Sequence, residues 1–179
     1  MVKKSLFISI VLLLVVSVCG AQVLDFHQFA SKYKHKKDVV HLSLPGFIVE
    51  LGANFVNEKD LNGVNIRPFL KGLHHLNLLV FDDAAVSPSS EDVKALIEGA
   101  HQDKFEDLIT VKDGKERVNI LIRESDNIVR NLLLIVTDKG KNNSSNVFIS
   151  MKCHFAMSDI NKLLESAMEK KGPNFTRIQ

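Results

Sequence analysis

The sequence has little cysteine, and this scarcity limits the chemistry available to it. Two cysteines occur among 179 residues, and Cys19 lies in an apolar N-terminal segment that resembles an export signal. Cys153 would then be the single thiol of the processed chain, which excludes an internal disulfide. Val147, Ile149 and Met151 share its face of a predicted strand. We therefore expect a buried, inert thiol rather than a nucleophile.

The chain also has almost no excess of positive or negative charge. The formal net charge is +2, and Lys3 and Lys4 belong to the segment expected to be removed, which leaves 21 basic and 21 acidic groups. Such a chain has no basic field for attracting nucleic acid, so we predict no nucleic-acid partner. The one local excess, Lys32–Lys37, is interpreted as the solvated end of a helix.

Several site motifs are missing as well. The sequence contains no glycine-rich phosphate loop, no nucleophile elbow and no zinc-type cysteine and histidine spacing. We predict no cofactor and no metal, and we name no catalytic residue. No linker composition interrupts the chain, so the prediction is a signal peptide over residues 1–21, one domain over residues 22–172 and a tail over residues 173–179.

The N-terminus has the three parts of a secretory signal: basic residues, an apolar run and small residues at its end. The run Leu6–Val18 has about thirteen residues, fewer than the roughly 20 that span a bilayer as a helix. We therefore expect export to the periplasm or cell envelope, with no transmembrane helix in the mature chain.

Two processing sites compete. Cleavage after Ala21 would leave Gln22 as the mature N-terminus. The residues before Cys19 resemble a lipobox, which would make Cys19 a lipid anchor and attach the protein to a membrane. The bulky Val18 is unusual for that motif, so the released form is favoured.

The second half of the chain predicts four consecutive strands. Tight turns at Lys112–Lys115 and Glu124–Asn127 are too short for a crossover, so these strands must be antiparallel to their sequence neighbours. The predicted strands are Asp107–Lys112, Arg117–Glu124, Ile128–Thr137 and Asn146–Phe155.

The first half alternates helical and strand patterns. Asp25 caps a helix, and Phe47, Ile48, Leu51 and Phe55 suggest another. The strands Asp38–Leu44 and His74–Phe81 are separated by helical segments, which leaves parallel pairing open. Further helices are predicted around Pro68–Leu73, after Ser87–Ser89 and after Ser158. The fold class is therefore α+β: one mostly antiparallel sheet of about six strands, helices mainly on one face, and a C-terminal four-stranded meander followed by a helix.

Three segments of the sequence resemble a family catalogued as domain of unknown function 4252. They are Phe105–Arg123, Val147–Lys152 and Met157–Leu164. A helix at Pro68–Leu73 that runs into an apolar strand fits the same family. The resemblance implies an exported or lipoprotein-type envelope protein of Bacteroidota, often encoded near extracytoplasmic-function sigma factors, and it implies no catalytic residues. Family members commonly have glycine where this chain has Cys153-His154.

Three groups of residues were candidates for chemistry. His74-His75 and Asp82-Asp83 flank a strand, and His74 and Asp82 are about 26 Å apart along it, too far for one metal centre. Cys153 and His154 are strand neighbours and face apart, so Cys153 would need a distant base such as His41 or His101.

The third candidate is the apolar stripe of helix 159–170, whose other side carries Lys162, Glu165, Glu169 and Lys170. It could dock a partner or a membrane. The stripe has the width of one that covers a sheet, so core packing is favoured.

The favoured hypothesis is a non-enzymatic binding or structural module that contacts an unknown envelope protein or another macromolecule. The first alternative is an envelope hydrolase built on scattered His, Asp and Glu residues that converge in a cleft. The second is a component of a sigma-factor-linked stress circuit, which rests on gene neighbourhoods alone.

Overall fold

The computed structural model describes residues 25–53, 67–83, 85–138 and 145–171. The predicted cleavage site Ala21/Gln22, the lipidation candidate Cys19 and the tail 173–179 lie outside these ranges. The described elements are, in chain order, α1 (Phe26–Tyr33), β1 (Val39–Pro45), α2 (Gly46–Ala53), α3 (Arg67–Lys71), β2 (Leu73–Phe81), α4 (Ser90–Gln102), β3 (Glu106–Asp113), β4 (Glu116–Ser125), β5 (Ile128–Asp138), β6 (Asn146–Ala156) and α5 (Met157–Lys171).

The predicted meander is confirmed. Each of its strands begins and ends within one residue of the predicted bounds, and α5 follows it. The turn between β4 and β5 has left-handed backbone at Asp126 (φ 57°) and Asn127 (φ 61°), the conformation of a tight hairpin. Short polar side chains tolerate this conformation, so the turn residues fix the antiparallel direction.

Six strands of the described chain form one antiparallel sheet in the order β1-β2-β6-β5-β4-β3. β1 and β2 are antiparallel, so the parallel pairing left open by the sequence is wrong. The reason lies at Gly46, where the chain leaves β1 in direct contact with the backbone of Leu73 and His74 at the start of β2. The chain therefore returns at the same end of the sheet, and α2 and α3 replace a hairpin loop rather than making a crossover.

The helices lie on both faces of the sheet, whereas the sequence predicted them mainly on one. Leu132 and Leu133 are neighbours on β5 and belong to different cores. The first face packs against α1 and α4, through Phe29 and Leu96 among others. The second face packs against α2, α3 and α5. Strand alternation produces two apolar faces here because the meander strands are apolar at most positions.

The first turns of α1 and α4 are fixed by predicted caps, whereas the cap predicted at Ser158 is wrong because α5 begins at Met157. The Asp25 carboxylate accepts a hydrogen bond from the Gln28 amide at 2.7 Å, and the Ser89 hydroxyl accepts one from the Asp92 amide at 3.1 Å. Each cap satisfies a backbone donor that would otherwise lack a partner. α1 and α4 lie side by side on the first face, where they share one core and are joined by the Lys32–Asp92 ion pair.

Candidate functional site

The first face of the sheet is apolar under α1 and α4 and polar beyond them. Register places Ser43 beside Asn77, and Asn77 beside Ser150, on three neighbouring strands. Asn131 is paired with Arg123 on β4 and with Lys152 on β6. Because paired residues in an antiparallel sheet point to the same face, these side chains form two short polar rows across five strands.

The polar rows form the floor of a pocket of about 350 Å³, which we call the sheet pocket. The ends of α1 and α4 form its roof. Its lining combines both charges, neutral hydrogen-bonding groups and two aromatic rings. The residues that line it are Asp25, Phe26, His27 and Ala30 of the α1 region, His41 and Ser43 of β1, Asn77 of β2, Leu96, Ala100, Asp103 and Phe105 at and after α4, and Arg123, Asn131, Leu133 and Ser150 of the meander.

Arg123 is held in place on the pocket floor. Its Nη2 and Nε atoms donate to the Asn131 Oδ1 at 2.7 and 3.1 Å, and its Nη1 donates to the Asp103 carbonyl at 3.4 Å. The guanidinium also lies over the Phe105 ring, 5.5 Å from its centroid. Its partners among these contacts carry no formal charge, so its positive charge is not neutralised by them and is available to an anionic group.

His41 lies on the β1 side of the pocket, and its pKa is lowered by burial and by basic neighbours. Desolvation of the ring lowers the pKa of His41 first, and the nearby Lys34, His35 and His27 lower that pKa further. The imidazole is therefore neutral at pH 7. A bound anion would offset these neighbours and raise the pKa of His41 again.

Ser43 and His75 form a pair that resembles part of a hydrolytic site. The Ser43 Oγ lies 3.0 Å from the His75 Nε2, and the same nitrogen lies 3.3 Å from the Asn77 Oδ1. The amide oxygen of Asn77 accepts only, so Nε2 carries the proton in the tautomer of His75 that satisfies this contact. A protonated Nε2 has no lone pair with which to take the Ser43 proton, so this arrangement does not activate the serine.

A charged network joins the two roof helices. The Asp92 carboxylate of α4 accepts from the Lys32 Nζ of α1 at 2.7 and 2.8 Å, and it also accepts from the buried Tyr33 hydroxyl. The hydrogen bonds from Lys32 and then Tyr33 lower the pKa of Asp92, although desolvation opposes them. Burial and then this carboxylate raise the pKa of Tyr33.

We expect Asp92→Asn to cost about 1.5–3 kcal/mol of stability at pH 7, since it weakens hydrogen bonds made by a charged group. The folded pKa of Asp92 lies below its ordinary value of 3.8, so its contribution is present above that value and is lost as the pH falls through the folded pKa. Urea unfolding at pH 7 and pH 3 measures both effects. Glu98→Gln, which removes an exposed pair with Lys94, is the matched control and should change little. Equal loss in both variants would contradict the role of the network.

Comparison with known proteins gives one result at the level of the family. A family model described as domain of unknown function (DUF4252) matches residues 33–163, more than half of the chain. The chain belongs to this family. Searches of curated proteins and of solved structures give no match. The matched range begins at Tyr33 and ends within α5, so it includes all strands of the described sheet.

The Cys153 and His154 candidates are separated by the sheet of this DUF4252 domain. Cys153 is 3% exposed and its Sγ donates to the Val129 carbonyl at 3.5 Å. Desolvation raises the pKa of Cys153 to about 12, so it is a thiol at physiological pH. His154 is exposed and contacts the Arg130 guanidinium at 2.8 Å. The buried-thiol interpretation of Cys153 is confirmed.

The distant bases considered for Cys153 do not lie on its face of the sheet. Cys153 belongs to the core of the second face, whereas His41 lines the sheet pocket on the first. His101 lies at the end of α4 and contacts the Asp107 carboxylate at 3.2 Å. No cysteine–histidine pair forms within the described ranges.

The His74-His75 and Asp82-Asp83 pairs lie at opposite ends of β2. Asp83 accepts a hydrogen bond from the Ala85 amide at 2.8 Å, a local turn interaction. The residues that the structure describes contain no group of three metal-ligating side chains. They also contain no helix long and apolar enough to cross a membrane.

The docking candidate on helix 159–170 falls within α5. Ile160 and Leu164 pack against the core of the second face, as the core interpretation predicted for these positions.

Sequence reasoning missed the sheet pocket, because its residues come from five strands and from the ends of two helices. A signal for it exists in Leu76-Asn77-Leu78, where one polar residue interrupts an apolar run. A polar residue between apolar neighbours on a central strand indicates a local gap in the cover of that face. Ser43 and Ser150 carry the same signal on β1 and β6, where each lies between two apolar residues.

Proposed function

We propose that this DUF4252 protein is an exported, non-enzymatic binding protein that holds a small ligand with an anionic group in the sheet pocket. The observation that carries the proposal is the position of Arg123, whose guanidinium is oriented by Asn131 and Asp103 on the pocket floor. Its placement in the periplasm or cell envelope is part of the proposal and rests on the signal pattern of residues 1–21.

The donors around Arg123 suit an anion with oxygen atoms that binds at Arg123, away from the Asp25 and Asp103 carboxylates that also line the pocket. His27 and His41 add imidazole groups to one side of the pocket, and Asn77 and Ser150 offer neutral donors on its floor. Phe26 and Phe105 give apolar surface at its margins. A carboxylate or phosphate would meet the fixed cation first, and the amides and hydroxyls would then orient the rest of the ligand.

The hydrolase alternative requires His, Asp and Glu residues that converge in a cleft, and Asp25, His27, His41 and Asp103 line the sheet pocket. Ser43 and His75 form the nearest arrangement to a nucleophile and base in the described chain. The same ring nitrogen also contacts Asn77. That competition favours binding over catalysis, since a general base needs its lone pair directed at the nucleophile.

We expect titration of the protein with sodium phosphate or sodium succinate, at constant ionic strength, to shift the amide NMR signals of Asn77, Asn131 and Ser150. Arg123→Gln should weaken binding about tenfold to a hundredfold, the loss expected for a hydrogen bond to a charged group. With sodium sulfate, whose charge is the same at pH 6 and pH 8, binding should be tighter at pH 6, since an anion raises the pKa of His41.

Arg130→Gln is the matched control, because Arg130 is an exposed arginine of the same strand as Asn131 that contacts His154 instead of lining the pocket. It should bind the probes as the parent does. Two outcomes would count against a specific site. Sodium chloride could cause the same signal changes, or the probes could bind equally to the Arg123→Gln and Arg130→Gln variants.

A further inference from the structure

The exposed large hydrophobic side chains of the described ranges lie on one continuous segment. They are Val40 (53% exposed) and Leu42 (41%) of β1, and Phe47 (63%), Ile48 (40%) and Leu51 (59%) of α2. Val40 is paired with Val80 and Leu42 with Leu78, on the second face of the sheet. α2 packs on that same face through Val49. The exposed side chains therefore form one apolar patch along an edge, and such patches mark interaction sites.

The two outer strands of the described sheet differ in how they are protected. β3 carries charged residues at both ends and a register shift between Asp107 and Ile109. Both features obstruct pairing with another strand. β1 has no Asp, Glu, Lys or Arg in its seven residues, and it pairs with β2 without a register shift. Its outer backbone groups over Val39–Leu44 are therefore an uncharged template for a further strand, and Pro45, which lacks an N–H, ends that template.

We propose that β1 pairs with β1 of a second copy of this chain around a two-fold axis at Leu42, which joins the two sheets into one antiparallel sheet. A two-fold axis perpendicular to the sheet keeps each face on the same side, so apolar side chains meet apolar ones. Leu42 then lies opposite its own equivalent, and Val40 lies opposite Leu44 of the second copy. On the other face His41 lies opposite Ser43, which places the two sheet pockets next to each other.

Charge supports a second copy as the occupant. Glu50 is the one charged residue in segment 39–53, and the run before Asp38 is basic. The two-fold pairing places the basic run of each copy beside the start of the other copy's α2, which carries Glu50. No like charges are brought together by this pairing.

Sedimentation equilibrium of the purified protein tests the proposal directly, and we expect a species of twice the chain mass. Leu42→Lys should raise the dimer dissociation constant by at least about tenfold, because a charge on an edge strand opposes pairing. Leu42→Val keeps an apolar strand-forming side chain and should leave the dimer intact. A monomer at about 100 μM, far above a specific interface's dissociation constant, overturns the proposal.

Cysteine cross-linking tests the register without relying on a charged variant that fails to fold. In a Cys19→Ser background, Leu42→Cys should form a disulfide-linked dimer under mild oxidation, since opposed residues lie roughly 4.5–5.5 Å apart. Val40→Cys should not, because its equivalent is about 13 Å away along the strand. Cys153 is buried and should not react. Equal cross-linking at both positions, or a dimer whose dissociation constant is unchanged by Leu42→Lys, overturns the two-fold pairing.

Discussion

Replacing Phe148 with alanine is expected to reduce the free energy of unfolding by about 3–5 kcal/mol, the largest single loss we predict for a side chain. Phe148 is fully buried on β6, a central strand between β2 and β5. Its ring lies 4.8 Å from the Phe29 ring and 5.6 Å from the Phe81 ring, measured between centroids. The alanine variant would leave a cavity where α1 rests on the sheet, and surrounding strands cannot close it.

Urea unfolding followed by far-ultraviolet circular dichroism measures this loss, since the chain contains no tryptophan to report by fluorescence. Phe47→Ala is the matched control, because the Phe47 ring is exposed on α2. At concentrations where the chain is monomeric, the control should change stability by about 0.5 kcal/mol or less. A loss of similar size in both variants would mean that the aromatic cluster does not hold α1 on the first face.

The strand content of this fold follows from local signals. β4 and β5 are joined by Asp126-Asn127, a turn that admits one hairpin geometry, and both strands consist of residues that favour extended structure. Their bounds and direction are therefore readable from the sequence. The direction of β1 is not, because it depends on where the chain returns after α2 and α3, and that return is set by the contact of Gly46 with β2.

The presence of helices on both faces of the sheet could not be predicted from the sequence, for a related reason. Leu132 and Leu133 are both apolar, so the alternation that normally distinguishes a covered face from a solvated one is absent on β5. The sheet pocket was hidden because Ser43, Asn77 and Ser150 are far apart in sequence and are brought together only by strand order. Single polar residues in apolar strands indicate such a site, but the pairing that aligns them is a long-range property.

The direction in which the apolar stripe of α2 faces is also not predictable from the sequence. Phe47, Ile48 and Leu51 predict a helix, which is confirmed, and apolar helical positions ordinarily face the core. In the structure they face outward, and Val49 is the residue of α2 that packs inward. The periodicity identifies the apolar stripe of a helix, whereas its direction depends on how α2 meets the end of β2.

That meeting point gives the second large prediction: Gly46→Ala should destabilise the protein by about 3 kcal/mol, near the upper end for overpacking. A Cβ at Gly46 would lie 2.1 Å from the Leu73 carbonyl oxygen and 2.8 Å from the His74 Cα. Both atoms belong to the backbone, so no rotation of a side chain relieves the contact. β1 or α2 must move away from β2 instead, which weakens the pairing at the Pro45 end of the edge strand.

Gly114→Ala separates this steric effect from the general loss of a glycine. Gly114 lies in the turn between β3 and β4 with φ +55°, and a Cβ there would meet nothing within 4 Å. We expect a cost of about 1–2 kcal/mol, which comes from the left-handed backbone alone. Gly46→Ala should exceed it in urea unfolding, and amide hydrogen exchange should speed up along β1 and the start of β2 in the Gly46 variant only. Equal losses, with exchange unchanged at β1, would show that β1 and α2 can shift without cost.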